Sequence, residues 1–223
     1  ELHSKSGGAL QARRAKLPHA LFMIGQRGLG KLHLAQAFAM GLLCEQPRED
    51  GLACGKCLAC NWFAQGNHPD FRLLQPEALS DDIEIEDGKK RPSQQITIDQ
   101  IRALDEFFNV GTHRGGLRIV LVNPTEAMNR STANSLLKTL EEPSPGTLFL
   151  MVSSEPMRLL PTIRSRCQIV PVPVPSSRVA MEAGVLKFGE GAGICRMLKE
   201  EVGKGTPLGR IFGGGAGSVG KAF

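Results

Sequence analysis

Four cysteines fall within seventeen residues, in the stretch "CEQPREDGLACGKCLAC" from Cys44 to Cys60. The spacing C-x9-C-x2-C-x2-C lets Cys44, Cys54, Cys57 and Cys60 aim four thiolates at one ion, with Gly55 in the first short turn. Four sulfurs satisfy tetrahedral Zn2+ and leave no open position for a substrate, so the implied role is structural rather than catalytic. A disulfide pair is the alternative, disfavoured in an intracellular chain. Cys167 and Cys195 have no partners at comparable spacing and read as ordinary cysteines.

A second constellation is "GQRGLGKLHLA", Gly25 to Ala35, directly after the apolar run "ALFMIG". Gly25, Gly30 and Lys31 meet the phosphate-loop pattern G-x-x-x-x-G-K-[ST], but Leu32 stands where a hydroxyl should reach magnesium. The glycines let backbone N–H groups converge on an anion, the helix that follows adds partial positive charge, and the lysine reaches the outer phosphates. Without the metal ligand, nucleotide binding can survive while hydrolysis suffers. The same letters also fit a Gly-rich strand-to-helix turn that binds nothing. Downstream, an acidic pair should follow the strand "RIVLV" to hold magnesium and polarise water, yet the next residues are Asn123 and Pro124. Glu126, close by, is a poor substitute because catalytic geometry tolerates little misplacement.

The elements that must position these residues alternate. "ALFMIG", "DFRLLQP", "LRIVLVN" and "TLFLMVSS" read as buried strands. Between them, helices are expected at Leu32 to Leu43, over "TIDQIRALDEFFNVG" with Thr97 or Asp99 as N-cap, and over "STANSLLKTLEE", stopped by Pro143. In the second helix Ile101, Leu104, Phe107 and Phe108 share a face, while residues 78 to 95 read as an exposed charged loop. Strands alternating with helices imply an α/β fold with a mostly parallel sheet, and the glycine loop then follows its first strand, where such sheets bind phosphates.

The chain has 223 residues, enough for one large domain or one domain with a smaller attachment. It has no apolar run of membrane-spanning length and its first residues lack a signal-peptide core, so a soluble intracellular protein is expected. The net charge of +5 suggests nucleic acid, but its distribution does not. Residues 1 to 17 and 178 to 223 each carry +3, leaving −1 for the body between them. Contact with nucleic acid must then be local or made through partners. His19, His68 and His113 are scattered without ligand spacing, Glu141 and Glu142 read as structural or interface acids at a helix end, and Trp62 reads as packing beside the cysteines.

Taken in order, "LPHALFMIGQRGLGK", the four-cysteine module, "NHPDF" and "ANSLLKTLEEPSPGTLFLMVSSEPMRLLPTIRSRCQ" resemble the clamp-loader branch of the AAA+ proteins. The resemblance covers roughly residues 17 to 175 and is strongest to the delta prime family of bacterial DNA polymerase III, whose members are hydrolysis-deficient. It implies a RecA-like AAA+ core with an inserted zinc module over residues 1–177, and a subunit that helps load the sliding clamp onto primed DNA in a bacterial cytoplasm. The implied partners are gamma/tau motor subunits and a delta subunit, with clamp and DNA met through the complex. Arg166, in "SRC" at Ser165 to Cys167, resembles the arginine finger that reaches a neighbour's ATP. A guanidinium suits that task because its planar fork fits phosphate oxygens. The alternative is a surface arginine paired with a carboxylate; Arg164 is the neighbour most easily mistaken for it. Ser153 and Ser154 sit where the family carries a phosphate-sensing residue.

Residues 178 to 223 depart from the resemblance, holding twelve glycines and ending "GRIFGGGAGSVGKAF". A helical lid and collar are expected there in a clamp-loader subunit. The composition implies a partly flexible segment, and a truncated or frame-shifted coding sequence is the expected origin. Two rival functions follow from the same letters: a working ATPase motor subunit using Glu126, and a free-standing zinc-dependent nucleic-acid binder, which the uncharged body disfavours.

Overall fold

The central strands are continuous apolar runs because both of their faces are covered. The computed structural model describes residues 17–48, 51–80, 91–109, 112 and 116–174. In chain order the elements are β1 (Ala20–Ile24), α1 (Lys31–Leu43), α2 (Leu58–Ala64), β2 (Phe71–Leu74), α3 (Ile98–Asn109), β3 (Arg118–Val122), α4 (Arg130–Glu141), β4 (Thr147–Ser153), α5 (Pro161–Arg164) and β5 (Gln168–Pro171). Strand order is β2-β3-β4-β1-β5, and every neighbouring pair is parallel.

Side chains alternate strictly across this sheet. Leu21 and Met23 of β1, Ile119 and Leu121 of β3, and Leu148, Leu150 and Val152 of β4 join Leu34, Phe38 and Leu42 of α1 in one core. Ala20, Phe22, Val120, Val122, Phe149 and Met151 point the other way, onto Leu104 and Phe107 of α3, Leu136 and Leu140 of α4, and Ile163 of α5. The expected parallel α/β sheet is therefore present, with its four named strands as β1 to β4. β5 was not among those four. It is a four-residue edge strand containing Pro171, and an edge is where a strand tolerates the missing N–H.

Helix boundaries follow their caps. α1 starts one residue earlier than expected, at Lys31, because Gly30 adopts a left-handed φ of 68° as its N-cap. Of the two candidate caps for α3, the side-chain bonds belong to Thr97. Its hydroxyl accepts from the Gln100 N–H at 3.4 Å while the Gln100 side-chain oxygen accepts from the Thr97 N–H at 2.9 Å, a reciprocal capping box. Asn129 caps α4 by accepting from the Thr132 N–H at 2.9 Å. The glycine-rich segment 178–223, Cys195 and most of the charged loop (81–90) lie outside the described residues. No helix among the described residues is long and apolar enough to cross a membrane.

Candidate functional site

β1 lies between β4 and β5, so its carboxyl end opens at the point where the connections diverge, the usual ligand crevice of an open parallel sheet. The glycine loop begins there. Gly25 is required by close approach: a Cβ at this position would stand 2.8 Å from the Val172 carbonyl oxygen. That carbonyl is fixed in turn, since the Val172 N–H donates to the Ile24 carbonyl at 2.7 Å.

Lys31 does not extend out of the loop. Its ammonium donates to the carbonyls of Gly25 and Gln26 at 2.9 and 2.6 Å and to Ser154 Oγ at 3.0 Å, which uses all three of its protons. The residue is buried. Burial lowers its pKa from the ordinary lysine value, against an opposing pull from the Glu126 carboxylate. Leu32, at the expected metal-ligand position, packs on the core beneath α1.

At the end of β3, Asn123 and Pro124 occupy the place of an acidic pair, and a short 3-10 turn over Thr125–Ala127 follows. Glu126 turns back across the sheet. One carboxylate oxygen accepts from the Ser154 N–H at 3.0 Å, while the Thr125 hydroxyl, 3.5 Å from the other, donates instead to the Val152 carbonyl at 3.2 Å. Lys31, Ser154 and Glu126 thus form one polar chain linking the ends of β1, β4 and β3. Ser153 is fully buried, its hydroxyl accepting from the Glu155 N–H at 3.0 Å. Sequence reasoning placed Ser154 only by family position and gave Glu126 no partner; their contacts join residues too far apart in the chain for any local pattern to reveal.

The four cysteines converge. The sulfurs of Cys44, Cys54, Cys57 and Cys60 all lie within 4.8 Å of one another, and none of these residues is in a disulfide. Cys44 and Cys57 Sγ are 3.8 Å apart, and Cys54 and Cys60 Sγ 3.9 Å. Four sulfurs held about 2.3 Å from one Zn2+ would form a tetrahedron with edges of about 3.8 Å, so the donor set fits a single metal ion. The turns hold the sulfurs through backbone N–H donors. Cys54 Sγ accepts from Lys56 and Cys57 at 3.4 and 3.3 Å, Cys57 Sγ from Cys60 at 3.4 Å, and Cys44 Sγ from Cys54 at 3.3 Å. These donors, the Lys56 N–H above all, pull the Cys54 thiol down to about 6. Burial pushes Cys44 and Cys60 up. Behind α2, Trp62 and Phe63 meet the ring of His68 edge-on at 6.2 and 6.4 Å, and burial lowers the His68 pKa.

Arg166 lies just past α5. Its Nη1 donates to the Thr162 carbonyl at 2.8 Å and its Nη2 to Glu141 Oε1 at 2.6 Å, and the pair stays partly exposed, at 36% and 49% for the two side chains. Arg164 instead donates to the Met157 sulfur at 3.0 Å. Cys167 is half-buried, and burial pushes its thiol up to about 12. Glu142, the α4 C-cap, is exposed.

The sequence model of the family described as "DNA polymerase III, delta subunit" matches residues 9–176. Among curated relatives, DNA polymerase III subunit delta' of Pseudomonas aeruginosa is 41% identical over 81% of this chain and 49% of its own length. The Escherichia coli delta' subunit is 36% identical over 68% of this chain and 41% of its own length. The chain thus spans about half the length of these relatives. A gamma subunit-related protein of Thermotoga maritima superposes with a TM-score of 0.53 at 22% identity, covering 87% of this chain and 52% of that one, a likeness of fold. Since the family model matches well over half of the chain, the chain belongs to the DNA polymerase III delta-subunit family, and the curated relatives it resembles are delta' subunits.

Proposed function

We propose that this chain is the AAA+ core of a clamp-loader subunit that helps place the sliding clamp on primed DNA, working beside gamma/tau motor subunits and a delta subunit without hydrolysing ATP itself. The observation that carries this reading is the state of the phosphate loop. Its architecture is intact, yet Leu32 and the Asn123–Pro124 pair stand at both magnesium-holding positions, and Lys31 is engaged by the chain's own acceptors. Gly25, Gly30 and Lys31 then form an inherited scaffold rather than a working nucleotide site. Its constructive contribution is Arg166, offered in trans to a neighbouring subunit's ATP, where a guanidinium can offset charge on the transferring phosphate. The four-cysteine cluster holds a structural Zn2+ through Cys44, Cys54, Cys57 and Cys60. The ion would replace the thiol protons and tie the 44–60 module to the start of α2.

The motor-subunit reading requires a carboxylate free to hold metal or polarise water. Glu126 is the nearest, and it is engaged by the Ser154 N–H on one oxygen and by the charge of the Lys31 ammonium. Steady-state ATPase measurement, alone and with motor subunits, separates the readings. Background turnover by the isolated protein, unrescued by Leu32→Thr, is expected. Magnesium-dependent turnover abolished by Lys31→Ala would establish the motor instead.

A further inference from the structure

Three arginines follow β4 in the described residues, and they are held in different ways. Arg158 pairs with Glu155 on its own 3-10 turn at 3.2 Å, both side chains well exposed, and Arg164 rests on a thioether. Arg166 is fixed by two acceptors from separate elements, the Glu141 carboxylate at the end of α4 and the Thr162 carbonyl within α5. Both supports are anchored: Leu140 and Ile163, beside them in sequence, are buried in the same core. Glu141 also occupies a place its own helix disfavours, since an acid in the last turn faces the negative end of the helix dipole. Its contact with Arg166 offsets that cost.

We propose that Glu141 is a positioning residue for Arg166. An unheld arginine has rotamer freedom that must be lost before its fork can meet a phosphate. Glu141 and the Thr162 carbonyl take one N–H from each terminal nitrogen, fixing the guanidinium plane and leaving Nε–H and one proton on each terminal nitrogen for an incoming anion. The fork is thereby ordered before the neighbour's triphosphate arrives. This inference rests on the trans-acting role of Arg166 proposed above. The support is a hydrogen bond of defined geometry rather than a bare charge, so a neutral amide of the same shape should serve nearly as well as the carboxylate.

The experiment is ATP turnover at the adjoining motor site in a reconstituted complex containing the complete protein, comparing Glu141→Ala, Glu141→Gln, Arg166→Ala and the Glu141→Ala/Arg166→Ala double variant. Melting temperature and complex assembly are followed alongside. The expected result is a loss of about 10- to 100-fold in turnover for Glu141→Ala with assembly intact, as for a catalytic group displaced by a fraction of a side chain. Glu141→Gln should restore most of it, and the double variant should fall no lower than Arg166→Ala alone. If Arg166→Ala costs turnover while Glu141→Ala does not, or both Glu141 variants raise turnover, positioning is overturned while the trans-acting role stands. If Arg166→Ala itself leaves turnover unchanged, both fall together.

Discussion

Gly41 sits inside α1, where helix propensity argues for replacing it. In an ordinary helix interior Ala is worth about 1 kcal/mol more than Gly. Here the added Cβ would stand 2.6 Å from the Gly51 carbonyl oxygen, in the segment that leads from α1 to Cys54. Backbone must then move by several tenths of an ångström to restore contact distance, and overpacking of this kind costs about 1–3 kcal/mol. The two effects oppose each other, and the clash should win because the obstacle is main chain, pinned by the Gly51 N–H donating to the Arg48 carbonyl at 2.8 Å. Gly41→Ala is expected to destabilise the chain by up to about 2 kcal/mol, a fall of up to about 8 °C in melting temperature for a protein of this size. Gly41→Ser should be worse. Thermal melting by circular dichroism, with zinc content measured on the same samples, tests both halves: the displaced Gly51 should also loosen the metal. A melting temperature raised by about 2–4 °C with zinc unchanged would show that propensity prevails and that the cysteine segment is not pressed against α1.

Replacing Cys57 and Cys60 together by Ser should abolish zinc binding measured by metal analysis and lower the melting temperature of the purified chain, with ATP turnover expected at background before and after the change. Gly146→Ala should destabilise by more than about 3 kcal/mol, read from denaturant unfolding, because its φ of 72° disfavours a side chain and the new Cβ would collide with the Gly116 carbonyl. Lys31 makes a pH prediction whose sign follows from burial. Its folded pKa lies below 10.5, so below that lowered pKa the folded state bears the full penalty of burying the cation. As pH rises from the lowered value towards 10.5 the unfolded chain holds more protons than the folded one, and stability gains. The difference in unfolding free energy between wild type and Lys31→Met should therefore move in favour of wild type across that window.

Much of this was legible in the sequence for definite reasons. β1, β3 and β4 carry unbroken apolar stretches, Ala20–Ile24, 119–122 and 148–152, because both faces are covered, so they announce themselves as continuous runs. The four sulfurs converge because C-x2-C is a local turn, and local geometry is what spacing encodes. β5 was hidden because an exposed edge with Pro171 carries no periodic signal: only Val170 of its four residues is buried. The engagement of Lys31 was hidden for another reason, since Ser154 lies 123 residues away and no local pattern links a lysine to a serine at that distance. The pairing of Arg166 was foreseen as a possibility, but Glu141 as its partner depends on how α5 packs against α4, which only the folded chain specifies.

The strict alternation of side chains in β1, β3 and β4 makes the sheet a bulkhead. The cysteine module and the body of α1 lie on one side of it, while α4, α5 and the arm bearing Arg166 lie on the other. Close-packed layers separated in this way share few partners, and substitutions that share no partners tend to add rather than couple. A substitution at Leu32, which packs on one core, should therefore leave the packing around Arg166 on the other core undisturbed. Two compartments with separate cores can drift at different rates, so the proposed loss of the nucleotide site and the proposed retention of Arg166 are physically compatible in one chain.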